Sequence, residues 1–226
     1  MSELEMLFER FDGLIQTAAD VRKLEQAILQ WAVMGRLVPQ DPTDEPASVL
    51  LKRIAAEKAR LVKEKKIRKG KKLAAISAEE IPFKVPANWS WVRFDELINF
   101  LNGYAFKSRW YVQASHNQVI RLGNVKNSGL KLEANPAYIP QEQAIQHEKY
   151  RLKINDILIT MTGTRGKRDY GFTSLIKAVD TSEYRLYLNQ RVGCIRTIGE
   201  LRPRLTSIFL KSEYFISQLL QDETGT

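Results

Sequence analysis

The sequence predicts an α+β protein. Long paired helices are expected to form a docking arm over residues 1–79, and a mixed α/β domain is expected over residues 80–226. Apolar residues recur at alternating steps of three and four over residues 4–31, which is the period of one helix face. Prolines then interrupt the chain, and from Ile81 onward short β-like runs alternate with Gly, Asn and Pro.

An apolar stripe predicts helix over the first 34 residues. It consists of Leu4, Leu7, Phe11, Leu14, Ala18, Val21, Leu24, Ile28 and Trp31. Asp20 is a candidate N-cap that divides this stretch into two helices near Ala19, because its carboxylate can accept from the free amides of the next turn. Gly35 supplies a C-cap. Two interpretations of the stripe stay open: the second helix and the following domain cover it, or part of it awaits a partner helix as a coiled-coil docking element.

A second helix is predicted after a proline-rich elbow. Pro39, Pro42 and Pro46 prevent the first helix from resuming, and Asp44 is the candidate N-cap of a helix that continues to about Lys66. Its apolar positions are Leu50 or Leu51, Ile54, Leu61 and Val62.

The net charge of +9 is distributed unevenly. Residues 63–72 hold 7 Lys and Arg against 1 Glu, inside a basic linker expected over residues 63–80. Such a balance favours a polyanionic partner, either nucleic acid or an anionic membrane surface, although a soluble basic protein without such a partner stays open. The run itself is either a solvated loop or a phosphate contact.

The C-terminal half has the pattern of an α+β domain without internal repeats. Strands are predicted at residues 89–94, 118–122, 157–161, 171–176 and 193–198, and helices at residues 94–100, 141–146 and 206–220.

Composition argues against a membrane protein and against a metal site. No apolar run approaches the roughly 18 residues that span a bilayer, and the acidic start of the chain does not fit a signal peptide. We therefore expect a cytoplasmic protein. Cys194 has no cysteine to pair with, and His116 and His147 are the only other strong zinc ligands, so no bound metal is expected.

The segment from Gly163 to Arg168 is a glycine-containing loop after a predicted strand. It fails the pattern of a nucleotide-binding phosphate loop, because Met161 and Arg168 stand where Gly and Ser or Thr are needed. Arg165, Lys167 and Arg168 are instead candidates for contacts to DNA phosphates, with Arg165 suited to a guanine edge. A solvated turn is the alternative.

The other candidate contacts are polar residues in loops that follow or precede predicted strands. They are Tyr104, Lys107, Arg109, Arg121, Asn124, Lys126 and Arg191. Phe106 and Trp110, in the same loop as Tyr104, are of the core-forming type. Asn124 either reads adenine or only forms the turn beside Gly123. Arg191 follows Asn189 and Gln190 and either contacts DNA or belongs to a structural cap.

The sequence offers no catalytic motif of a familiar enzyme class. There is no nucleophile elbow, no zinc-protease helix motif and no dinucleotide-binding glycine pattern. Asp156 and Asp169 could meet as paired carboxylates, but Asn155 and Asp156 read as a turn at a strand entry. We therefore predict no catalytic residue.

Several of these segments together resemble one known family. LEQAILQWAVMGRLVPQDPTDEPAS, residues 24–48, resembles the conserved helical region of the specificity (S) subunit of type I restriction-modification enzymes. Further stretches are similar to the target-recognition domains of that family. They are PANWSWVR at residues 86–93, GYAFKS at 103–108, IRLGNV at 120–125, NDILITMTGT at 155–164 and LNQRVG at 188–193.

The resemblance implies a non-catalytic subunit that reads double-stranded DNA and docks modification (methyltransferase) and restriction subunits. S-adenosylmethionine, ATP and magnesium would then belong to those partners, with no cofactor bound by this chain. The family carries two recognition domains, each for one half of a split target, with paired helices as the spacer between them. This sequence resembles the N-terminal half only, so we expect either a truncated chain or a half-subunit that pairs with a second one. Two rival hypotheses stay open: a stand-alone DNA nuclease or methyltransferase, and a helical adaptor that binds protein only.

Overall fold

The structure, a computed structural model, describes residues 15–163 and 170–221 together with Met6, Glu9 and Gly13. Its mixture of helices and strands confirms the predicted α+β class. The helices are α1 (Ala18–Val33), α2 (Ala47–Lys63), α3 (Phe94–Leu97), α4 (Gln141–Gln146), α5 (Pro203–Phe209) and α6 (Glu213–Gln221). The strands are β1 (Ile98–Asn102), β2 (Asn117–Ile120), β3 (Val125–Lys126), β4 (Gly129–Leu130), β5 (Ile157–Thr160), β6 (Thr173–Leu175), β7 (Arg185–Leu188) and β8 (Val192–Thr197).

Helix α1 begins with a capping box. The Thr17 hydroxyl accepts a hydrogen bond from the Asp20 amide at 3.2 Å, and the Asp20 carboxylate accepts from the Thr17 amide at 2.9 Å. The predicted helix break near Ala19 is confirmed, but Asp20 as N-cap is wrong. Thr17 is the cap, and Asp20 is the third residue of the helix that it helps to start. The stripe positions Leu4, Leu7, Phe11 and Leu14 lie outside the described residues.

Helix α1 ends as predicted at Gly35. Gly35 has a φ of +69°, and the Arg36 amide donates to the Trp31 carbonyl at 2.8 Å. This hydrogen bond, with that from the Gly35 amide to the Ala32 carbonyl at 3.1 Å, is the Schellman pattern that a glycine in the left-handed region permits.

Both predicted boundaries of helix α2 need correction. Pro46, without a side-chain hydrogen bond, takes the N-cap position predicted for Asp44, and the carbonyl of Asn88 accepts from the Ala47 amide at 2.8 Å. The helix ends at Lys63 rather than Lys66, because Lys65 adopts a φ of +57° and closes the last turn.

The segment predicted as a strand at residues 89–94 contains no strand. Its side chains are used for anchoring: Trp91 packs edge to face on Phe83 and Tyr214, and Arg93 donates to the carbonyls of Ala74 and Ala75 at 3.2 Å each. The helix predicted over residues 94–100 ends at residue 97, because the next residues pair with β8.

Among the described residues, four strands form one antiparallel sheet in the order β1-β8-β5-β6. Strands β2 and β7 pair in parallel, and β3 pairs with β4. The predicted strands at 118–122, 157–161, 171–176 and 193–198 are thus confirmed, with each boundary correct to within two residues, whereas β1, β3, β4 and β7 were not predicted.

The elements stack in layers. Leu210, which follows α5, and Phe215 of α6 pack on one face of the four-stranded sheet, which contributes Ile157 and Ile195. The opposite face meets the β2–β7 pair in the main core, where Leu158 and Leu188 are fully buried. A third cluster, containing Tyr187 and Ala144, joins the far side of β2–β7 to helix α4.

The helix predicted over residues 206–220 is two helices. The chain bends because Leu210 is fully buried under the sheet and the Ser212 hydroxyl accepts from the Phe215 amide at 3.2 Å, which starts a new helix. The helix predicted over residues 141–146 is confirmed.

The arm helices pack on the C-terminal half of the chain. Helix α1 contacts α5 and α6, and α2 contacts α3 and buries Ile54 to 2% exposure. Helix α1 contains no buried residue, and Val21 of its stripe is 43% exposed. The following domain therefore covers the described part of the stripe only partly. The domain boundary at residues 79 and 80 stays a prediction.

Candidate nucleic-acid interface

The strand topology brings distant parts of the sequence together at one end of the domain. Strand β8 begins where β1 and β5 end, since Asn102 pairs with Gly193 and Thr160 pairs with Val192. Strands β2 and β7 run in parallel and end at the same level, where the Asn189 amide donates to the Ile120 carbonyl at 3.2 Å. We call this end the strand-end surface and define it by residues 103–109, 121–126, 161–163, 171–172 and 189–191.

Two backbone contacts lock the 103–111 loop to the turn between β7 and β8. The Tyr104 amide donates to the Leu188 carbonyl at 2.9 Å, and the Gln190 amide donates to the Tyr104 carbonyl at 3.0 Å. A Cβ at Gly103 would lie 2.0 Å from the carbonyl oxygen of Asn189, so only glycine permits this close approach.

Tyr104 is half-buried in an aromatic cluster rather than free in a loop. Its ring lies 4.2 Å from that of His147 and 5.2 Å from those of Phe106 and Tyr150 between centroids, and it is nearly parallel to the ring of Trp110. Phe106 is buried as predicted. His147 and Tyr150 were missed by sequence reasoning, since they lie more than 40 residues from Tyr104 and carry no local signal.

The cations of this loop point to solvent. Lys107 and Arg109 are exposed, and the Lys107 ammonium lies 5.3 Å from the centre of the Trp110 ring. An aromatic ring holds such a cation without neutralising it. The loop therefore presents two positive charges on a rigid aromatic base.

Asn124 does not have the role of a base contact in this structure. It is 1% exposed, its side-chain oxygen accepts from the Arg121 amide at 2.9 Å, and its amide group donates to the carbonyls of Lys131 and Ala134 at 2.8 and 2.9 Å. Its hydrogen-bonding capacity is spent inside the turn, so the predicted adenine contact is corrected to the turn-forming alternative.

Arg121 and Lys126 frame that turn. The Arg121 guanidinium donates to the Asn135 carbonyl and lies 6.0 Å from the centre of the Tyr111 ring, which leaves it half-buried. Lys126 is exposed, with its ammonium 5.8 Å from the centre of the Phe172 ring. The Phe172 carbonyl accepts from the Thr160 amide at the end of β5, which places Lys126 at the strand-end surface.

Arg191 lies at the centre of the strand-end surface. Its side chain is exposed, and its carbonyl accepts from the Met161 amide at 3.2 Å. The glycine-containing loop that follows Met161 thus starts beside Arg191. The candidates Arg165, Lys167 and Arg168 in that loop lie outside the described residues.

The carboxylate suspected of catalysis is used for structure. Asp156 is 3% exposed, and Arg196 binds both of its carboxylate oxygens at 2.8 and 2.9 Å. The strand-entry turn is confirmed, because Asn155 has a φ of +73° and the Lys153 amide donates to Asp156 at 2.9 Å. Asp169 lies outside the described residues. Burial raises the pKa of the Cys194 thiol far above its usual range, which keeps the sulfur protonated.

A polar cleft of ≈ 970 Å³ lies at the opposite end of the strands. Its lining includes His116, which immediately precedes β2, and Arg185, the first residue of β7. Within residues 15–163 and 170–221, no three His, Cys, Asp or Glu side chains are arranged to hold a metal ion. In the same part of the chain, every helix is too short or too polar to cross a membrane.

Comparison with known proteins identifies two curated relatives. The chain is 43% identical over 213 residues to the Type I restriction enzyme EcoAI specificity subunit of Escherichia coli, a match that covers 93% of this chain and 35% of the relative. It is 38% identical over 161 residues to the Type I restriction enzyme EcoEI specificity subunit of the same organism, covering 70% of this chain and 27% of the relative. The chain thus spans about a third of the length of these relatives.

Other comparisons are more distant. The crystal structure of the HsdS subunit from Thermoanaerobacter tengcongensis matches 97% of this chain and 40% of that chain, with a TM-score of 0.44 and 13% sequence identity. No family model matches the sequence. The assignment therefore depends on the two relatives at 43% and 38% identity. Over the part of those relatives that it matches, the chain belongs to the family of type I restriction enzyme specificity subunits.

Proposed function

We propose that this chain reads the sequence of double-stranded DNA with its strand-end surface, and that associated polypeptides perform the chemistry. The single observation that supports this most strongly is the convergence of loops from β1, β2, β5 and β7 at one end of the domain, with exposed cations on the segments that follow β1, β2 and β7. Loops on a rigid sheet can reach base edges in the major groove while the core stays unchanged.

The described cations of the strand-end surface differ in exposure and in hydrogen bonding to the protein. Lys107, Arg109, Lys126 and Arg191 are exposed and suit phosphate oxygens or guanine edges. Arg121 instead donates to the Asn135 carbonyl and suits positioning of the turn that follows β2. A guanidinium donates two parallel hydrogen bonds to the O6 and N7 atoms of guanine, which makes Arg191 the strongest described candidate for base reading.

The arm supplies the proposed contacts with partners. The partly exposed stripe of α1 fits a further helix in coiled-coil fashion, and modification and restriction subunits are the proposed partners in the cytoplasm. On this proposal the chain reads one half of a bipartite target, alone or paired with a second half-subunit. It binds no cofactor, and S-adenosylmethionine, ATP and magnesium serve the partner subunits.

The test is selection of bound duplexes from random DNA by the chain assembled with its modification subunit. We expect one short enriched motif. Arg191→Ala should then weaken binding to that motif by about 1–3 kcal/mol and relax the preference at one position. Arg202→Ala, which removes an exposed cation elsewhere on the domain, is the matched control and should leave the preference unchanged.

Two results contradict the proposal. Selection without an enriched motif would show that the complex is indifferent to sequence and favours the protein-only adaptor. Cleavage or methyl transfer by the purified chain alone, with magnesium or labelled S-adenosylmethionine, would show that it is an enzyme.

A further inference from the structure

The linker after α2 has a regular pattern of charge that the strand-end surface does not explain. Residues 65–72 read Lys-Lys-Ile-Arg-Lys-Gly-Lys-Lys, so cation pairs recur every three residues with one uncharged residue between them. We call residues 65–72 the basic segment. All six of its cations are exposed.

The uncharged residues of the basic segment face the protein. Ile67 is half-buried, and its amide donates to the Leu61 carbonyl at 3.4 Å. Gly70 passes so close to α3 that a Cβ there would lie 3.1 Å from the Asp95 carboxylate. The cation pairs therefore point outward from a backbone that is attached to the domain.

The basic segment is also anchored at both ends. At the start, the Lys66 amide donates to the Leu61 carbonyl at 2.9 Å and closes the end of α2. After its end, Arg93 holds the carbonyls of Ala74 and Ala75 and pairs with Glu80 at 2.6 Å. An anchored chain loses less conformational entropy on binding a partner than a free tail does.

Among the described residues, five of the six charges of the basic segment have no ion pair. In the part of the chain that the structure describes, Lys66 is the one cation of the segment with an ion pair, to Glu64 at 2.8 Å. The nearby carboxylates have other partners: Asp95 pairs with Lys58, and Glu57 pairs with Arg60. Two like charges 7 Å apart in water repel by about 0.6 kcal/mol, so the run is unfavourable without a polyanion.

We propose that the basic segment is a second DNA-binding surface, which binds the phosphate backbone of a duplex without reading its sequence. Three residues of extended chain span roughly 10 Å, and three base pairs rise by about 10 Å along each strand. The two pairs beyond the turn, Arg68 with Lys69 and Lys71 with Lys72, can therefore meet phosphates at a matching interval, which an acidic protein surface without such a repeat does not offer.

This surface is separate from the strand-end surface. The basic segment lies against α3, which leads into the first residue of β1, whereas the strand-end surface follows the last residue of that strand. The five residues of β1 hold the two regions roughly 13 Å apart, which equals about four base pairs of duplex. DNA beyond the bases that are read would contact the segment.

The test measures binding of the full 226-residue chain to a duplex with its selected motif and to a scrambled duplex, across a salt series. The variant replaces with Gln the cations Arg68, Lys69, Lys71 and Lys72. The control replaces with Gln four exposed cations outside both surfaces: Lys52, Lys153, Lys177 and Arg204. Both lose the same charge, so any difference between them reports position.

Each lost phosphate contact should reduce the salt slope of log affinity by about 0.9. We expect the variant to reduce the salt slope by about 2 to 4 on both duplexes. The ratio of its affinities for the two duplexes should stay unchanged, and the control should keep a slope close to that of the unaltered chain.

The proposal is wrong if the variant and the control have equal slopes, if the loss of slope is confined to the motif duplex, or if the unaltered chain binds no duplex. It is also wrong if the variant binds DNA normally but no longer assembles with its modification subunit, because the partner is then an acidic protein surface. The proposed function predicts the ratio of affinities for the motif and scrambled duplexes, whereas this inference predicts the salt slope. Either prediction can therefore fail while the other holds.

Discussion

The ion pair between Arg196 and Asp156 provides a sharp test of what stabilises the C-terminal half of the chain. Arg196 binds both oxygens of the Asp156 carboxylate and also donates to the Arg151 carbonyl at 3.0 Å. The Asp156 side chain is 5% exposed, whereas that of Arg196 is 28% exposed. Replacing Arg196 by Met keeps most of the side-chain volume and leaves a buried carboxylate without its cation.

The expected cost follows from what remains around that carboxylate. The Lys153 amide still donates at 2.9 Å, but both charge-assisted hydrogen bonds are lost. Removing one partner of a buried ion pair costs about 3–5 kcal/mol, and we expect about 3 kcal/mol because water can enter beside the shortened side chain. With a urea m-value of about 1–3 kcal/mol/M, the unfolding midpoint should fall by roughly 1–3 M.

The matched control is Arg53→Met. Arg53 binds Glu45 and Glu200 with distances as short as those of Arg196, but its side chain is 41% exposed and the carboxylates are 48% and 63% exposed. Exposed pairs contribute about 0–1 kcal/mol each, so this variant should lose much less stability. Urea unfolding followed by tryptophan fluorescence measures both. If the two variants lose equal free energy of unfolding, or if Arg196→Met loses less than about 1 kcal/mol, burial is not what makes the Arg196–Asp156 ion pair important for stability.

Three further predictions concern the loops and the linker. Gly103→Ala should separate the 103–111 loop from Asn189, because the added Cβ would lie 2.0 Å from a carbonyl oxygen. We expect a lower unfolding midpoint in urea and a weaker sequence preference in duplex selection. Glu80→Gln should speed tryptic cleavage of the linker, because it removes the ion pair with Arg93. Arg93 lowers the pKa of Glu80 to about 2. The carboxylate therefore stabilises the fold above its ordinary pKa of 4.5 and loses that effect as the pH falls toward 2. Lys65→Gly should raise stability by roughly 0.5–1 kcal/mol in urea unfolding, since Lys65 has a φ of +57° and glycine adopts this conformation without strain.

The sequence predicted the elements whose signals are local. The 3.6-residue period, Gly35 and the short β-branched runs located α1, its end and four strands, because each depends on neighbouring residues. Strands β1 and β7 escaped prediction since their strand state depends on partners far along the chain. The Trp89 to Phe94 segment has strand propensity, but its side chains anchor the linker and α6, and none of the described strands pairs with it.

The candidate site was predicted with similar limits. Residue type identified exposed cations such as Lys107 and Arg191 as candidate DNA contacts. It did not distinguish them from Asn124, whose side-chain amide is hydrogen-bonded within the turn that it forms. The aromatic support of Tyr104 by His147 also depends on tertiary packing, so no spacing in the sequence indicated it. A polar side chain can contact DNA only if neighbouring residues do not already form its hydrogen bonds, and the fold determines which residues are its neighbours.

The separation of the two proposed DNA surfaces has a consequence for how specificity can change. Loops of the strand-end surface rest on backbone hydrogen bonds such as that from Tyr104 to Leu188, so exposed side chains there can be exchanged without disturbing the core. The basic segment adds affinity for any duplex through phosphates and is attached near the opposite end of β1. If both proposals are correct, a substitution at Arg191 alters which DNA is bound and leaves the salt slope nearly intact, while substitutions in the basic segment do the reverse. A chain built in this way can acquire a new target sequence without losing the nonspecific affinity that brings it to DNA.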